Sequence, residues 1–499
     1  MIEKIVILGG GSAGLLAALS LKRKLPQLAV KVVRSPEIGI IGVGEGTTPS
    51  FPGHLHDYLR LGRGPFFAAA KPTLKLGVRF LWGGEPFDYP FHAHHDFRHP
   101  DLPRPNGFYA PLGMADAGIF TALMSRDKAL PADAAGQPLL HTGVAYHIEN
   151  VQLVAWLEQA CRASGVTIMD GMVRGAEVET DAGGSPRVTA LRMDDGSCEP
   201  ADFFIDCSGF RSELIGSALE TPFVSFGDSL FNDRAIAGPW ERTDEPVRPY
   251  TTAEAMDAGW CWRIDHEHHI NRGYVYSSAH LSDGAAEEEL RRKNPKITNT
   301  RLVKFKTGRY AESWRGNVVG IGNAAGFVEP LEATALMIIA LQCRALADGL
   351  LESNLRVTPP LRSLFNRFIG GVWDDTRDFL ALHFKANHHM DTPYWQRCRE
   401  EASLHGADPV VEFYREHGPS LLGKNVLLSA NNPFGMEGYL ALLTGMQVPH
   451  GNSHTITPAE AAIWERHRAE YARQAEQSLT MPQCLAAFRS PAMKWSAPS

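Results

Sequence analysis

Residues 2–25, IEKIVILGGGSAGLLAALSLKRKL, decide the fold. Ile2 to Leu8 reads as a buried strand, Gly9 to Gly14 follows without a gap, and Leu15 to Leu25 continues as an Ala/Leu helix. Val30 to Val33 supplies a second strand, so the G-x-G-x-x-G spacing stands in a β-α-β context, where it has mechanical meaning. Gly9 permits the tight turn and Gly11 lets backbone approach a pyrophosphate. Ser12 and Ala13 open the helix, and Gly14 lets helix and strand pack. The positive end of the helix dipole then faces the phosphates. Ile5 to Leu21 is apolar enough to imitate a signal peptide. Glu3 offsets Lys4, however, and three glycines interrupt the run without a convincing cleavage site. The second strand ends in Arg34, with Glu37 beyond, where an acid usually holds the ribose hydroxyls. Arg34 suits either a 2′-phosphate or the adenosine of FAD.

A second stretch, GNAAGFVEPLEATA at 322–335, follows the apolar run Val318 to Ile321 and leads into Leu336 to Leu341. It reads as strand, turn and helix start, with Pro330 confined to the turn. Gly322 and Asn323 belong to the part that presents backbone to a cofactor, and Glu329 and Glu332 are two acids beside an apolar surface. The loop Ile40 to Pro49, containing Gly44 and Glu45, is Gly-rich and able to wrap a cofactor. Phe203 to Asp206 reads as a strand ending at Asp206-Cys207-Ser208-Gly209, where a sheet returns to the nucleotide, and Val188 to Arg192 as another strand. Val151 to Ser164 is an amphipathic helix with Leu153, Trp156, Leu157, Ala160 and Cys161 on one face. Residues 86–140 read as irregular. Past about residue 350 the pattern is mostly helical, with Trp373, Phe379, Trp395, Phe413 and Tyr414 as buried anchors.

The resulting expectation is an α/β protein. Residues 1–350 form a discontinuous FAD-binding domain of Rossmann type, and 351–499 a helical layer at the substrate site. At 499 residues the chain can bury sizeable cores, and a net charge of −7 gives no support for nucleic-acid binding. The cysteines at 161, 198, 207, 261, 343, 398 and 484 form no C-x-x-C pair, which is reduced, cytoplasmic usage. No uninterrupted apolar run has transmembrane length. His92, His94, His95 and His99, like His266, His268 and His269, lack clear spacing with a third ligand, so no metal is expected. The run Glu287 to Glu289 reads as a solvated helix face.

In sequence order the chain carries GGGSAG (9–14), GVGEGTTP (42–49), LKLGVRF (74–80), DCSGFRS (206–212), GWCWRI (259–264), GYVYS (273–277) and FVEPLEAT (327–334). Asp378-Phe379 with His383, then Thr392 to Trp395, continue the series. Over most of its length the chain thus resembles the flavin-dependent halogenases of the tryptophan-halogenase family, whose fold is flavin monooxygenase-like. The pair Trp260 and Trp262, matching W-x-W-x-I-P, is the most specific feature.

The resemblance implies reduced FAD, oxygen and a halide giving hypohalous acid, which travels through a tunnel to a separate substrate site. Lys75 matches the lysine that holds the electrophile as a haloamine or by a hydrogen bond, and Glu332 the glutamate that stabilises or deprotonates the ring. Glu329 has the lesser role. The halide site corresponds to the N–H groups of Thr334 and Ala335. The family's Glu-Ser-Thr-Gly is here Glu332-Ala333-Thr334-Ala335. A positive φ at the last position would cost alanine about 1 kcal/mol and reshape the pocket, so bromide is expected to be handled better than chloride. Trp260 and Trp262 line the flavin chamber, and the proline after Ile264 is replaced by Asp265. The stretch Asn431 to Leu440 offers Glu437 and Tyr439 to a substrate but no evident zwitterion clamp, which points to a free indole before tryptophan itself. The chain carries no second nicotinamide unit, so reduced flavin is expected by diffusion from a separate NAD(P)H-dependent reductase. The rival readings are an FAD-dependent aromatic monooxygenase and a catalytically silent flavin-binding scaffold.

Overall fold

The computed structural model of the chain describes residues 1–39, 44–91, 99–103, 116–140, 143–180, 184, 186–451 and 455–495. The expectations for Ile40 to Val43 and for His92, His94 and His95 lie outside the described residues. The opening stretch folds as read, with strand Lys4–Leu8, helix Ser12–Lys24 and strand Ala29–Arg34. These strands sit centrally in a six-stranded sheet. Lys4–Leu8 pairs in parallel with Phe203–Asp206 on one side and Ala29–Arg34 on the other. Val318–Gly320 and Thr167–Asp170 extend the sheet in parallel, and Trp314–Arg315 closes one edge antiparallel. Parallel strands need both faces covered. Accordingly Ile5, Val6 and Ile7 are all fully buried.

A seven-stranded mixed sheet forms the second layer, in the order Arg301–Lys304, Arg234–Glu241, His269–Tyr276, Gly259–Asp265, Thr251–Met256, Gly77–Leu81, Phe87–Pro90. Between the two layers lies a small sheet in which Ala145–Ile148 pairs with Glu45–Gly46 on one side and Thr73–Lys75 on the other. The long helices Ala335–Glu352 and Pro359–Lys385 begin a C-terminal layer. It continues through Pro393–Glu401, Asp408–His417 and Gly435–Gly445. One apolar cluster runs from Ile5 and Leu19 through Phe80 and Trp260 to Phe379, Trp395 and Leu442. The chain end returns to its start, where Phe488 and Trp495 pack on Phe67 at ring separations of 4.7 and 5.1 Å. Among the described residues no helix is long and apolar enough to cross a membrane.

Three local expectations are corrected. The stretch 86–140 contains the strand Phe87–Pro90, the helix Ile119–Ser125 and the strand Lys128–Leu130, because its aromatics Phe87 and Tyr89 alternate toward the core. Phe413 is half-buried, and Tyr414 is the anchor. Glu289 is buried and accepts the Asp257 N–H at 3.1 Å, so only part of the acidic run is solvated.

The mixed sheet also explains one glycine. A Cβ on Gly273 would lie 1.9 Å from the ring of Trp262 on the neighbouring strand. Gly273→Ala is expected to lower stability by about 1–3 kcal/mol through overpacking, read as a fall in the thermal midpoint; an unchanged midpoint would contradict this packing.

Candidate functional site

The nucleotide end is built from tight approaches. Gly9 has φ +120°, and a Cβ there would meet the Cys207 carbonyl oxygen at 2.2 Å. A Cβ on Gly14 would meet Gly9 O at 1.9 Å. Gly11 differs, because a Cβ there would meet nothing within 4 Å. Its glycine is therefore not demanded by the chain's own packing, and it caps the Ser12–Lys24 helix with no side-chain hydrogen bond. Open space before unpaired helix N–H groups fits a dinucleotide pyrophosphate. Gly322, with φ +65°, brings its turn against this loop, since a Cβ there would lie 3.1 Å from Ala13 Cβ. Asn323 follows in that turn and lines a cavity of about 970 Å³, together with Asn232, Phe305 and Phe327.

Two nucleotide-site expectations change. Asp206 is fully buried and turned inward. It accepts from Ser208 N at 3.0 Å, Ser208 Oγ at 2.6 Å, Leu214 N at 2.7 Å and Ile215 N at 2.9 Å. Both oxygens are spent on the turn after the strand, so Asp206 holds backbone and not cofactor. Arg34 gives its charge to Asp170 at 2.8 Å and Glu158 at 2.5 Å. Its aliphatic stem, not its charge, lies beside Gly10.

Lys75 ends the Thr73–Lys75 strand and is fully buried, and its Nζ has no hydrogen-bond partner. It lies 4.9 Å from the centre of the Phe91 ring and 3.0 Å from where a Cβ on Gly46 would stand. Ala333 Cβ is 3.3 Å from that same point. The glycine loop, the lysine and the residue after Glu332 therefore converge. Burial pushes the Lys75 amine down to about 7, against the opposing pull of Glu332. Half or so of these lysines are neutral near pH 7.

Glu332 is also buried. Its Oε1 lies 2.8 Å from His383 Nε2, and its Oε2 has no partner. His383 Nδ1 is 2.8 Å from the Phe379 carbonyl oxygen, which can only accept. Nδ1 therefore carries a proton, and Nε2 has one only when His383 is cationic. The Trp82 indole N–H fixes this helix turn by donating to His383 O at 2.9 Å.

Glu329, three residues earlier, faces another way. Its Oε2 accepts from Trp260 Nε1 at 2.6 Å and Asn232 Nδ2 at 2.7 Å. Desolvation pushes this carboxyl up to about 7, and both hydrogen bonds oppose the rise. Trp260 is thus pinned by its indole N–H, and Trp262 lies beside it at a ring separation of 6.1 Å. The turn Pro330–Ala333 closes with Ala333 N donating to Pro330 O at 3.0 Å. Positive φ falls on Ala333, at +55°, whereas Ala335 is the first residue of its helix. The conditional strain at Ala335 is therefore displaced by two residues. Thr334 caps that 18-residue helix without a side-chain hydrogen bond. The N–H groups of Thr334 and Ala335 have no acceptor within the helix and suit an anion.

Aromatic rings enclose the space beside Glu332. Phe379 stacks on Phe434 at 3.9 Å and meets Tyr439 at 4.9 Å and His383 at 5.1 Å. Tyr439 and Glu437 are buried on the Gly435–Gly445 helix. Desolvation, with the charges of Glu332 and Glu437, holds the Tyr89 hydroxyl well above its usual range. Sequence reading missed Tyr89 and Phe91. The alternation Phe87, Tyr89, Phe91 was the available signal. The hairpin histidines set aside for want of a third ligand acquire one, because Glu149 meets His266 and His269.

Three comparisons bear on this arrangement. A family model described as tryptophan halogenase matches residues 4–461. Tryptophan 7-halogenase KtzQ of Kutzneria sp. (strain 744) is 33% identical over 443 residues, spanning 83% of this chain and 82% of the relative. Among solved structures, the tryptophan 5-halogenase MibH superposes with TM-score 0.86 at 34% identity, over 98% of this chain and 93% of the other. The flavin-dependent halogenase BrvH from Brevundimonas sp. BAL3 superposes with TM-score 0.83 at 28% identity, over 98% of this chain and all of the other.

The buried lysine yields a stability prediction. Its folded pKa, about 7, lies below the unfolded value of 10.5. The penalty for holding its charge is complete below pH 7 and disappears as pH rises toward 10.5. Lys75→Met is expected to stabilise the fold at pH 6–7 by on the order of 2–5 kcal/mol, an advantage that shrinks steadily at higher pH. Thermal midpoints measured across that range test this; a variant uniformly less stable at every pH would refute it.

Proposed function

The chain belongs to the tryptophan halogenase family, and from that premise we propose a division of labour among its residues. The protein is a flavin-dependent halogenase that uses FAD and halide. Gly9, Gly11, Ser12, Ala13 and Gly14 would hold the pyrophosphate, and Gly44, Glu45, Gly322 and Asn323 would line the rest of the cofactor. When bound, reduced FAD would give oxygen two of the four electrons it takes up, and halide would give the other two on becoming hypohalous acid, with water as the second product. A separate NAD(P)H-dependent reductase provides the reduced flavin by diffusion.

The observation that carries this reading is the unpartnered, fully buried Nζ of Lys75 beside Gly46 and within the field of Glu332. A neutral amine at that point takes the halogen as a haloamine or orients hypohalous acid by a hydrogen bond. An electron-rich ring attacks the halogen. The new carbon–halogen bond forms as the bond from halogen to nitrogen or oxygen breaks. The ring proton then leaves to the open Oε2 of Glu332, while His383 holds Oε1. Trp260 and Trp262 keep the ring away from the flavin, and Glu437 and Tyr439 border the substrate. The rings of Phe379 and Phe434 favour a flat aromatic, which supports a free indole as substrate.

The N–H groups of Thr334 and Ala335 hold the halide. Ala333, in the left-handed region, departs from the family's serine, and bromide is the less strongly hydrated and more easily oxidised ion. Bromide is therefore the preferred halide.

The test combines the protein with FAD, a flavin reductase, NADH, oxygen and indole, with tryptophan and a tryptophan-containing peptide in parallel. Mass spectrometry is expected to find a halogen isotope doublet that Lys75→Ala reduces by at least roughly 10²-fold. Hydroxylated product formed without halide would instead mean a monooxygenase. In the same assay bromide is expected to give faster turnover than chloride, and equal rates would overturn the halide assignment.

A further inference from the structure

We propose that Glu149, His266 and His269 form a binding site for a zinc-class divalent cation at the foot of the Gly44–Gly46 loop. Glu149 stands at the junction between the Ala145–Ile148 strand and the Asn150–Ala163 helix. His266 and His269 flank the tight turn joining Gly259–Asp265 to His269–Tyr276. That turn is closed by His266 N donating to His269 O at 3.1 Å. The ligands therefore come from two rigid junctions distant in sequence.

Their donor atoms all lie within 4.8 Å of one another. His266 Nε2 is 2.8 Å from Glu149 Oε1, and His269 Nε2 contacts the same oxygen. The two imidazoles are stacked, with centres 4.6 Å apart and planes at 21°. His266 is 4% exposed, and its Nε2 has no hydrogen bond despite that proximity. Two ring nitrogens thus converge on one carboxylate oxygen in a nearly closed pocket, an arrangement that a cation between the three groups would satisfy. Two imidazoles and a carboxylate, with no thiolate, suit zinc at about 2.0–2.2 Å from each donor. A small opening of the three rotamers reaches that separation.

The surroundings are those of a built site. Asn271 donates from Nδ2 to the same Glu149 oxygen at 3.1 Å and so orients the carboxylate. Arg242 donates to the His266 carbonyl oxygen at 2.7 Å and to buried Asp265 at 2.7 Å, fixing the turn from outside. Gly44 roofs the cluster, because a Cβ there would lie 2.4 Å from His266 Nε2 and 2.3 Å from Asn271 Nδ2. The same loop continues to Gly46 against Lys75. The cluster also lies where the chain departs from W-x-W-x-I-P, as Asp265-His266-Glu267-His268-His269 replaces the proline segment. The second histidine cluster, His99, Asp101 and His467, differs in that its carboxylate is exposed and turns both oxygens, each at 2.9 Å, onto His467 Nε2 alone.

The full-length protein, stripped with a chelator, is titrated with Zn²⁺ by calorimetry and with Co²⁺ by visible absorption. The expected result is one Zn²⁺ equivalent whose affinity falls at least roughly tenfold in each of His266→Ala, His269→Gln and Glu149→Gln, with a tetrahedral Co²⁺ spectrum lost in parallel. His268→Ala, at an exposed neighbouring position, is expected to bind as the parent does. His269→Gln guards against misfolding of the buried variant, because His269 is partly exposed, and circular dichroism confirms its fold. A parent protein that binds no Zn²⁺, or one whose binding His269→Gln and Glu149→Gln leave unchanged, overturns the proposal.

Discussion

The fold is organised around one costly burial, the Lys75 amine held out of water with no hydrogen-bond partner. An ammonium in such a place is disfavoured by several kcal/mol, and the ordinary response is to release its proton. Keeping it there needs a rigid frame on every side. Lys75 is paired through backbone with Ala145, and the next residue donates from Leu76 N to Pro249 O at 2.7 Å. The strand is thereby fixed between two sheets, and the side chain has no route outward. Gly46 supplies the missing volume, because any larger residue would press on Nζ. The same confinement that destabilises the charged form makes a neutral amine available near neutral pH.

A second constraint separates two acids three residues apart. Glu329 and Glu332 leave the same turn, yet one oxygen of Glu329 is taken by Trp260 and Asn232, while Glu332 meets His383. The left-handed Ala333 reverses the chain between turn and helix, so that Thr334 begins the helix directly after the second acid. A residue with a Cβ tolerates that conformation at a cost of about 1 kcal/mol, and the closed Pro330–Ala333 turn offsets it. One acid is thus tied to the mixed sheet through Trp260 and the other to the helical layer through His383, although both are fully buried.

The nucleotide half was legible because its physics is local. Gly9, Gly11 and Gly14 have meaning within six residues of chain, and strand, loop and helix appeared in the expected order, with the helix beginning earlier, at Ser12. Lys75 and Glu332 were legible through ordered motifs. Their partners were less so. His383 and Tyr89 reach Glu332 from a helix and a strand far away in sequence, and no spacing rule announces such a meeting. Asp206 misled for the opposite reason. An acid at a strand end usually faces the ligand, but here four local donors captured it. The meeting of the hairpin histidines with Glu149 was not legible either, because Glu149 is more than a hundred residues upstream.

The site also ties catalysis to the integrity of the whole chain. Gly46, Lys75, Glu332, His383 and Tyr439 come from five segments, and the apolar cluster beneath them is continuous from Ile5 to Phe488. Trp395 bonds to Met256 O at 2.8 Å and Trp82 to His383 O at 2.9 Å, each joining the helical layer to the mixed sheet. Any loosening that admitted water to Lys75 would return its pKa toward the value of an exposed amine. The neutral amine would then be lost before the chain unfolds. The lysine's protonation state is thus a property of the packing around it and not of a charged partner, because burial is the larger influence and Glu332 opposes it.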